Sequence, residues 1–389
     1  MNLKSSFVAT ALLASTAMAG TAGAETLRIA DSFPVGHYIA ENMTKVWMDK
    51  VTELTNGEIT FEYYPAEQMG KSKDLMSLAQ TGVVDIGYAG VSYLADKLPL
   101  AAVGELPEAF TRSCQGTNAY WSIAKPGGVL DQAELAPQGV RMLLVMVLSP
   151  YQVMTARKEI TGGNSFKGLK LRTTGGTKEI AVELLGATPV SIPAPETREA
   201  LSRGTIDGVL FPHSSVLPYG LEPELKWGTQ EMNFGSFVAS YVISEDRWQK
   251  LSPETQKAMT DAAEAAIASS CQIGEELDLQ DKQKMVDAGV TFVSFPAEDK
   301  AKIDADLATI GERWAKDLDG RGLPGTEVLT AFRDALAATA APAAPAADAA
   351  AALAAEAPPA DAVPAADAAP AAEAAPAADA GAAAPAASN

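Results

Sequence analysis

Apolar positions along this chain switch between two spacings. Residues 27–30 form a short apolar run, and 31–37 carries Pro34 and Gly36 as loop signals. Ile39, Met43, Val46, Trp47, Val51 and Leu54 then recur at helical spacing, which predicts a helix over 38–55. Gly57 stands where a helix end favours a residue of positive φ. Residues 59–64 alternate and predict a strand, 73–80 predict a second helix and 83–88 a third strand.

The same order returns later in the chain. It runs as strand 169–172, glycine-bearing loop 173–176, helix 177–185 ended by Gly186, strand 188–192, helix 196–202 and strand 206–211. Gly82-Val83-Val84-Asp85 and Gly204-Thr205-Ile206-Asp207 share a Gly-x-x-Asp step into the third strand of each set. Two β-α-β-α-β units predict an α/β chain with two parallel-sheet lobes. Ligands of such sheets sit beyond the carboxyl ends of the strands, beside helix N-termini. That places a site in the cleft between the lobes, with loops 31–37 and 173–176 facing each other.

The connections extend this plan. The apolar run 140–148 leads into Ser149-Pro150-Tyr151 and suits a crossing to the second lobe, while 237–244 brings the chain back. Ser252 as N-cap, Pro253 and Glu254 open a long helix reaching about residue 288, with or without a break, a length suited to bracing both lobes. The expected division is 25–149 plus 237–337 for the first lobe and 150–236 for the second.

The two ends differ from this body. Residues 1–24 have the build of a secretory signal: Lys4, an apolar stretch over 7–13, and Ala22-Gly23-Ala24 before an expected cut ahead of Glu25. No later run approaches roughly 20 uninterrupted apolar residues, so no membrane insertion is expected. From 338 onward the chain is Ala and Pro with six isolated acids, a composition that predicts a disordered, solubilising or spacing tail. The net charge is −19, becomes −20 without Lys4, and is −14 once the tail acids are set aside. A body this acidic argues against nucleic acid and anionic lipid as partners, yet leaves room for a local positive site.

Cys114 and Cys271 are too far apart in sequence for a CxxC motif or a cysteine-rich zinc site. They are either one disulfide or two separate buried thiols. Catalytic chemistry has little to stand on. The chain has two histidines, His37 and His213, and lacks H-E-x-x-H, G-x-S-x-G, Walker A and G-x-G-x-x-G sequences. No metal or cofactor is expected, and a binding role outweighs an enzymatic one. The informative residue is Arg172, at the carboxyl end of a strand before a glycine turn and a helix start. A guanidinium there can grip a carboxylate with two parallel hydrogen bonds. The structural alternative is an ion pair with Glu179 or Asp207.

These residues carry a resemblance. The run TLRIADSFPVGHYIAENMTKVWMDKVTELTNGEITFEYYPAEQMGKSKDLMSLAQTGVVDIGYAG resembles the opening of DctP-type binding proteins of tripartite ATP-independent periplasmic (TRAP) transporters. FKGLKLRTTGGTKEIAVELLGATPVSIPAPETREALSRGTIDGVLFP is similar to that family's signature region. The resemblance spans 25 to about 336 and implies a two-lobed periplasmic binding protein fold, hinged closure on a ligand, and delivery to the membrane subunits of a TRAP importer. It also implies that Arg172, in the family's G-L-K-x-R motif, binds the substrate carboxylate. Many members carry polar residues after the second Asp-Gly, where this chain has Val209, Leu210 and Phe211. That disfavours hydroxyl-rich ligands and a metal-assisted carboxylate site.

Phe33, Tyr88, Tyr151 and Phe211 instead suit an apolar or aromatic body behind the carboxylate, each with ordinary core packing as its alternative. His37 and His213, in loops expected to border the cleft, are candidate donors to the ligand. Some relatives place a ligand-contacting arginine near Tyr151, which leaves Arg172 as the cation of the pocket. The expected protein is a periplasmic monomer that captures a small organic acid. A component of a periplasmic sensing system and a secreted hydrolase are the competing readings.

Overall fold

The computed structural model describes residues 24–108 and 110–339. Except for residues 24, 338 and 339, the expected signal sequence and tail lie outside the described residues.

The first sheet is built on strands β1 (Glu25–Ala30), β2 (Ile59–Tyr64), β3 (Ile86–Gly90) and β4 (Val140–Val147). The second holds β5 (Gln152–Thr155), β6 (Lys170–Thr173), β7 (Thr188–Ser191), β8 (Gly208–Phe211) and β9 (Trp227–Thr229). The chain then returns to the first sheet as β10 (Val238–Ser244) and adds β11 (Thr291–Val293) to the second. The strand orders are β2-β1-β3-β10-β4 and β11-β9-β5-β8-β6-β7.

The repeat seen in the sequence is a repeat of structure. In one sheet β1 lies parallel between β2 and β3, and in the other β6 lies parallel between β7 and β8. The shared Gly-x-x-Asp steps do the same job in both. Asp85 Oδ2 accepts the Arg28 N–H at 2.8 Å, and Asp207 Oδ2 accepts the Lys170 N–H at 2.8 Å. Each aspartate thereby occupies the ladder position at which its strand would otherwise begin, so β3 and β8 start later than the apolar pattern suggested.

Two antiparallel pairs link the sheets. β4 pairs with β10 in the first and β5 with β9 in the second, and β4 runs directly toward β5 while β9 runs toward β10. The expected division counted 237–337 with the first lobe. Thr291–Val293 departs from it, because these residues pair in parallel with Trp227–Thr229 of the second sheet. A three-residue strand carries too little periodicity to be read from sequence.

The helix Pro253–Asp287 is unbroken, and its Ser252 cap accepts the Thr255 N–H at 3.1 Å. Its inner face carries Met259, Ala263, Ala266, Ile267 and Gly274. The small residues bring it close: a side chain at Gly274 would collide with Met146 of β4. The helix packs on Val46–Leu54, Ser113–Ala124 and β4 of the first lobe and on the short helix His213–Val216 of the second. Cys114 and Cys271 form a disulfide, Cα to Cα 4.9 Å, tying the helix Ser113–Ala124 to this brace. Replacing both cysteines by serine is expected to lower the unfolding free energy by about 2–5 kcal/mol, read from urea denaturation. An unchanged midpoint and slope would show that the crosslink constrains nothing.

Candidate ligand-binding cleft

Arg172 is the third residue of β6 and is fully buried. The strands on either side hold it. Its Nε donates to the Ile192 carbonyl just past β7 at 2.8 Å, and one terminal nitrogen donates to the Leu210 carbonyl of β8 at 3.3 Å. The other terminal nitrogen, Nη2, is buried and has no protein partner among the described residues. The ion pairs offered as the structural alternative are not made. Asp207 is engaged by the Lys170 amide, and no described carboxylate pairs with Arg172. A buried positive group with a free donor is costly unless an anion completes it.

The guanidinium carbon lies 4.5 Å over the Phe211 ring, a cation–π contact that orients it. Phe211 in turn borders a small cavity of about 20 Å³ between the two sheets. The first lobe contributes Phe33, His37, Tyr88, Tyr93 and Phe237, and the second Tyr151, Phe211, Ser215 and Tyr219. The rings pack within each lobe and meet between them: Phe33 meets Tyr88 edge-on at 5.0 Å, Tyr151 stacks on Phe211 at 6.2 Å, Tyr219 meets Phe211 at 5.8 Å, and His37 of the first lobe meets Tyr219 of the second at 5.4 Å. Burial raises the pKa of the Tyr93, Tyr151 and Tyr219 hydroxyls, and the Arg172 charge opposes that rise in all three. Its field therefore reaches into the cavity.

Five of the seven residues singled out from sequence besides or including Arg172 thus meet at the cavity wall: Phe33, His37, Tyr88, Tyr151 and Phe211. Arg172 stands over the Phe211 ring beside them. His213 does not line it. Its Nδ1 lies 3.1 Å from Asp278 of the long helix, its ring meets Phe292 edge-on, and it serves the contact between second lobe and brace. Tyr93, Tyr219 and Phe237 were missed, because nothing in their local spacing separates a cleft-facing ring from a core ring.

The loop Thr173–Gly176 meets Ser92, in the turn after β3, rather than the loop 31–37. Thr174 Oγ1 donates to Ser92 Oγ at 3.0 Å. Gly175, at φ +93°, lets the backbone pass Ser191 and Ser92 without a side chain in the way. Beneath this contact a fully buried ion pair joins the lobes: Lys178 Nζ lies 2.9 Å from Glu105 and also donates to the Ser236 carbonyl at 2.6 Å. Glu105 accepts from the Ser92 hydroxyl and from the Ser92 and Val238 amides. Burial pulls the Lys178 ammonium pKa down, and Glu105 opposes that shift. The Ala194 N–H donates to Tyr93 Oη at 3.1 Å across the same boundary.

The chain matches the model of the bacterial extracellular solute-binding proteins of family 7, DctP, over residues 30–317. It belongs to that family. A relative from Comamonas testosteroni, the outer membrane transporter protein TsaT, is 25% identical over 87% of this chain and 99% of its own. A TRAP solute-binding protein from Rhodoferax ferrireducens, solved with copurified benzoate, is 26% identical with a TM-score of 0.74, covering 81% of this chain and 98% of that one. A marine metagenome TRAP binding protein, solved with 3-hydroxybenzoate, is 25% identical with a TM-score of 0.76, covering 82% and 99%. This TRAP solute-binding protein therefore shares a fold and family with receptors rather than enzymes.

In this solute-binding protein the first β-α loop is pinned by Asp31. The Asp31 carboxyl is buried and accepts from Tyr63 Oη at 2.7 Å, Tyr241 Oη at 2.5 Å and the Phe33 N–H at 3.0 Å. Burial raises its pKa to about 6 against the lowering effect of those donors. A carboxyl whose folded pKa exceeds its unfolded value favours folding while protonated, and the advantage is lost as pH rises through the folded value. From pH 4 to 7 the wild type is expected to lose about 2–3 kcal/mol relative to Asp31→Asn, read from paired denaturation curves. Parallel curves would place the Asp31 pKa near its ordinary value.

The interlobe pair makes a second prediction. Lys178→Met strands a buried carboxylate and is expected to cost about 3–5 kcal/mol, whereas Glu105→Gln combined with Lys178→Met recovers part of that loss. Thermal denaturation of Lys178→Met, Glu105→Gln and the double variant checks it; additive losses would mean that the two charges do not interact.

Proposed function

We propose that this protein captures a small monocarboxylate with an aromatic or otherwise planar apolar body and presents it to the membrane subunits of a TRAP importer. The observation that carries the reading is the buried Arg172, with two nitrogens held by backbone carbonyls and the third unpaired among the described residues, stacked on Phe211, a ring of the aromatic cavity wall. A carboxylate completes the guanidinium by charge-assisted hydrogen bonding. Phe33, Tyr88, Tyr151 and Phe211 offer ring faces and edges to the body of the ligand. A sugar acid fits poorly, since Phe33, Phe211 and Phe237 offer apolar rings where hydroxyls would need partners.

The periplasm is the compartment that suits the reading, supported by the family, by the signal-like N-terminus and by the disulfide. Release of the ligand unchanged is part of it, as is action as a monomer. The acidic body supports a role apart from nucleic acid. The benzoate and 3-hydroxybenzoate found in two structural neighbours point the same way.

Isothermal titration with benzoate, 3-hydroxybenzoate and galacturonate tests the reading. Both aromatic acids are expected to bind and the sugar acid to bind at least tenfold more weakly. Arg172→Ala is expected to weaken the aromatic acids by about a hundredfold or more, and Arg172→Lys by less. Equal affinity in wild type and Arg172→Ala would overturn the anchoring role.

A further inference from the structure

A second unpaired donor lies on the other lobe, on a residue that lines the cavity itself. His37 ends the first β-α loop and is buried, at 1% exposure. Its Nδ1 accepts the Ile39 N–H at 3.2 Å, so that nitrogen must carry its lone pair. Burial pushes the imidazole pKa down to about 3, which keeps the ring neutral. The proton of a neutral ring then resides on Nε2. That atom is buried and finds no protein acceptor among the described residues.

Position adds to the argument. The His37 ring is locked between Phe33 at 4.5 Å and Tyr38 at 4.8 Å, both nearly parallel to it. It also meets Tyr219 edge-on at 5.4 Å, and Tyr219 meets Phe211, the ring beneath Arg172, at 5.8 Å. Two rings of the cavity wall, Tyr219 and Phe211, thus stand between the two unpaired donors. One donor is cationic and suits an anion. The other is neutral and suits an uncharged oxygen.

The surroundings exclude a second anion at the His37 end. Asp31 is near enough for its charge to raise the pKa of Tyr88 and Tyr219, both of which line the cavity. Lys178, the other buried cation of the region, is consumed by Glu105 and the Ser236 carbonyl. A distal carboxylate would therefore be desolvated beside Asp31 with no cation of its own.

We propose that His37 is a specificity-determining residue, donating its Nε2–H to a neutral oxygen acceptor at the end of the ligand remote from the carboxylate. This rests on the carboxylate reading of Arg172 and narrows it. The preferred class is a monoanionic aromatic acid with a distal carbonyl or similar oxygen, rather than a bare ring or a diacid. A site with a buried unpaired donor discriminates against a ligand that leaves it unpaired.

Matched pairs of probes test this. The acetyl group of 3- or 4-acetylbenzoate has nearly the shape of the isopropyl group of 3- or 4-isopropylbenzoate, and only the first accepts a hydrogen bond. Titration calorimetry on the wild type is expected to favour the acetyl member of at least one pair by about five- to tenfold. His37→Phe keeps a stacking ring and is expected to erase that preference, so that the two members of the pair bind alike. With two histidines in the chain, ¹⁵N-histidine labelling also lets the His37 Nε2–H resonance be followed without any substitution. It should shift downfield with the acetyl acid and not with its isostere.

A preference that survives in His37→Phe, or an Nε2–H resonance that responds alike to both acids, overturns the proposal. Binding of these acids by Arg172→Ala with wild-type affinity overturns the carboxylate reading instead, and separates the two failures. If the wild type binds neither member of any pair, both readings fall.

Discussion

A guanidinium buried with one arm free is the constraint around which this molecule is arranged. Arg172 is held by carbonyls on both flanks of its strand, so its position is set by the hydrogen-bonded ladder of the second sheet rather than by a flexible ion pair. Desolvation makes an unpaired charge expensive. The protein offsets part of that cost with two carbonyls and a ring face, and on the function proposed above the anion of the ligand offsets the remainder. The same arrangement explains why the cavity wall is aromatic. Once the charged end of a ligand is fixed, area contact with rings holds the rest at little entropic cost.

The second consequence concerns closure. Both lobes bury polar groups against one another: Glu105 with Lys178, Ser92 with Thr174, and, at the cavity wall, Tyr93 with the Ala194 amide. Opening the cleft returns both ions to water, so their attraction is largely matched by regained hydration. The pair therefore registers the closed geometry more than it drives closing. A guest that completes Arg172 supplies the differential affinity that shifts the balance between open and closed states. The long helix, packed on both lobes and crosslinked at Cys271, limits how the lobes separate.

Much of this was legible in the chain. The two β-α-β-α-β sets, the shared Gly-x-x-Asp steps and the capped long helix are local patterns, and local hydrogen bonding reproduces them. Of the apolar run Val209-Leu210-Phe211 only Phe211, at the strand's carboxyl end, lines the cavity, while Val209 and Leu210 are core. His213 looked equivalent to His37 in sequence, as both follow a proline-bearing loop. What separates them is Asp278, 65 positions away on the brace. Tyr93, Tyr219, Glu105 and Lys178 carried no signal, since each acts through a partner in the other lobe or on a distant element.

The sequence by itself determined the α/β class, the doubled unit, the place of Arg172 at a strand end, and the family to which those motifs belong. These follow from periodicities of two and 3.6 residues and from short motifs, which need no knowledge of distant contacts. Tertiary structure alone decided that Arg172 lacks an acidic partner among the described residues, that one histidine lines the cavity while the other serves the brace, and that Cys114 meets Cys271. Each depends on groups brought together across long stretches of chain. Burial and pairing are properties of that assembled surface and not of any one segment.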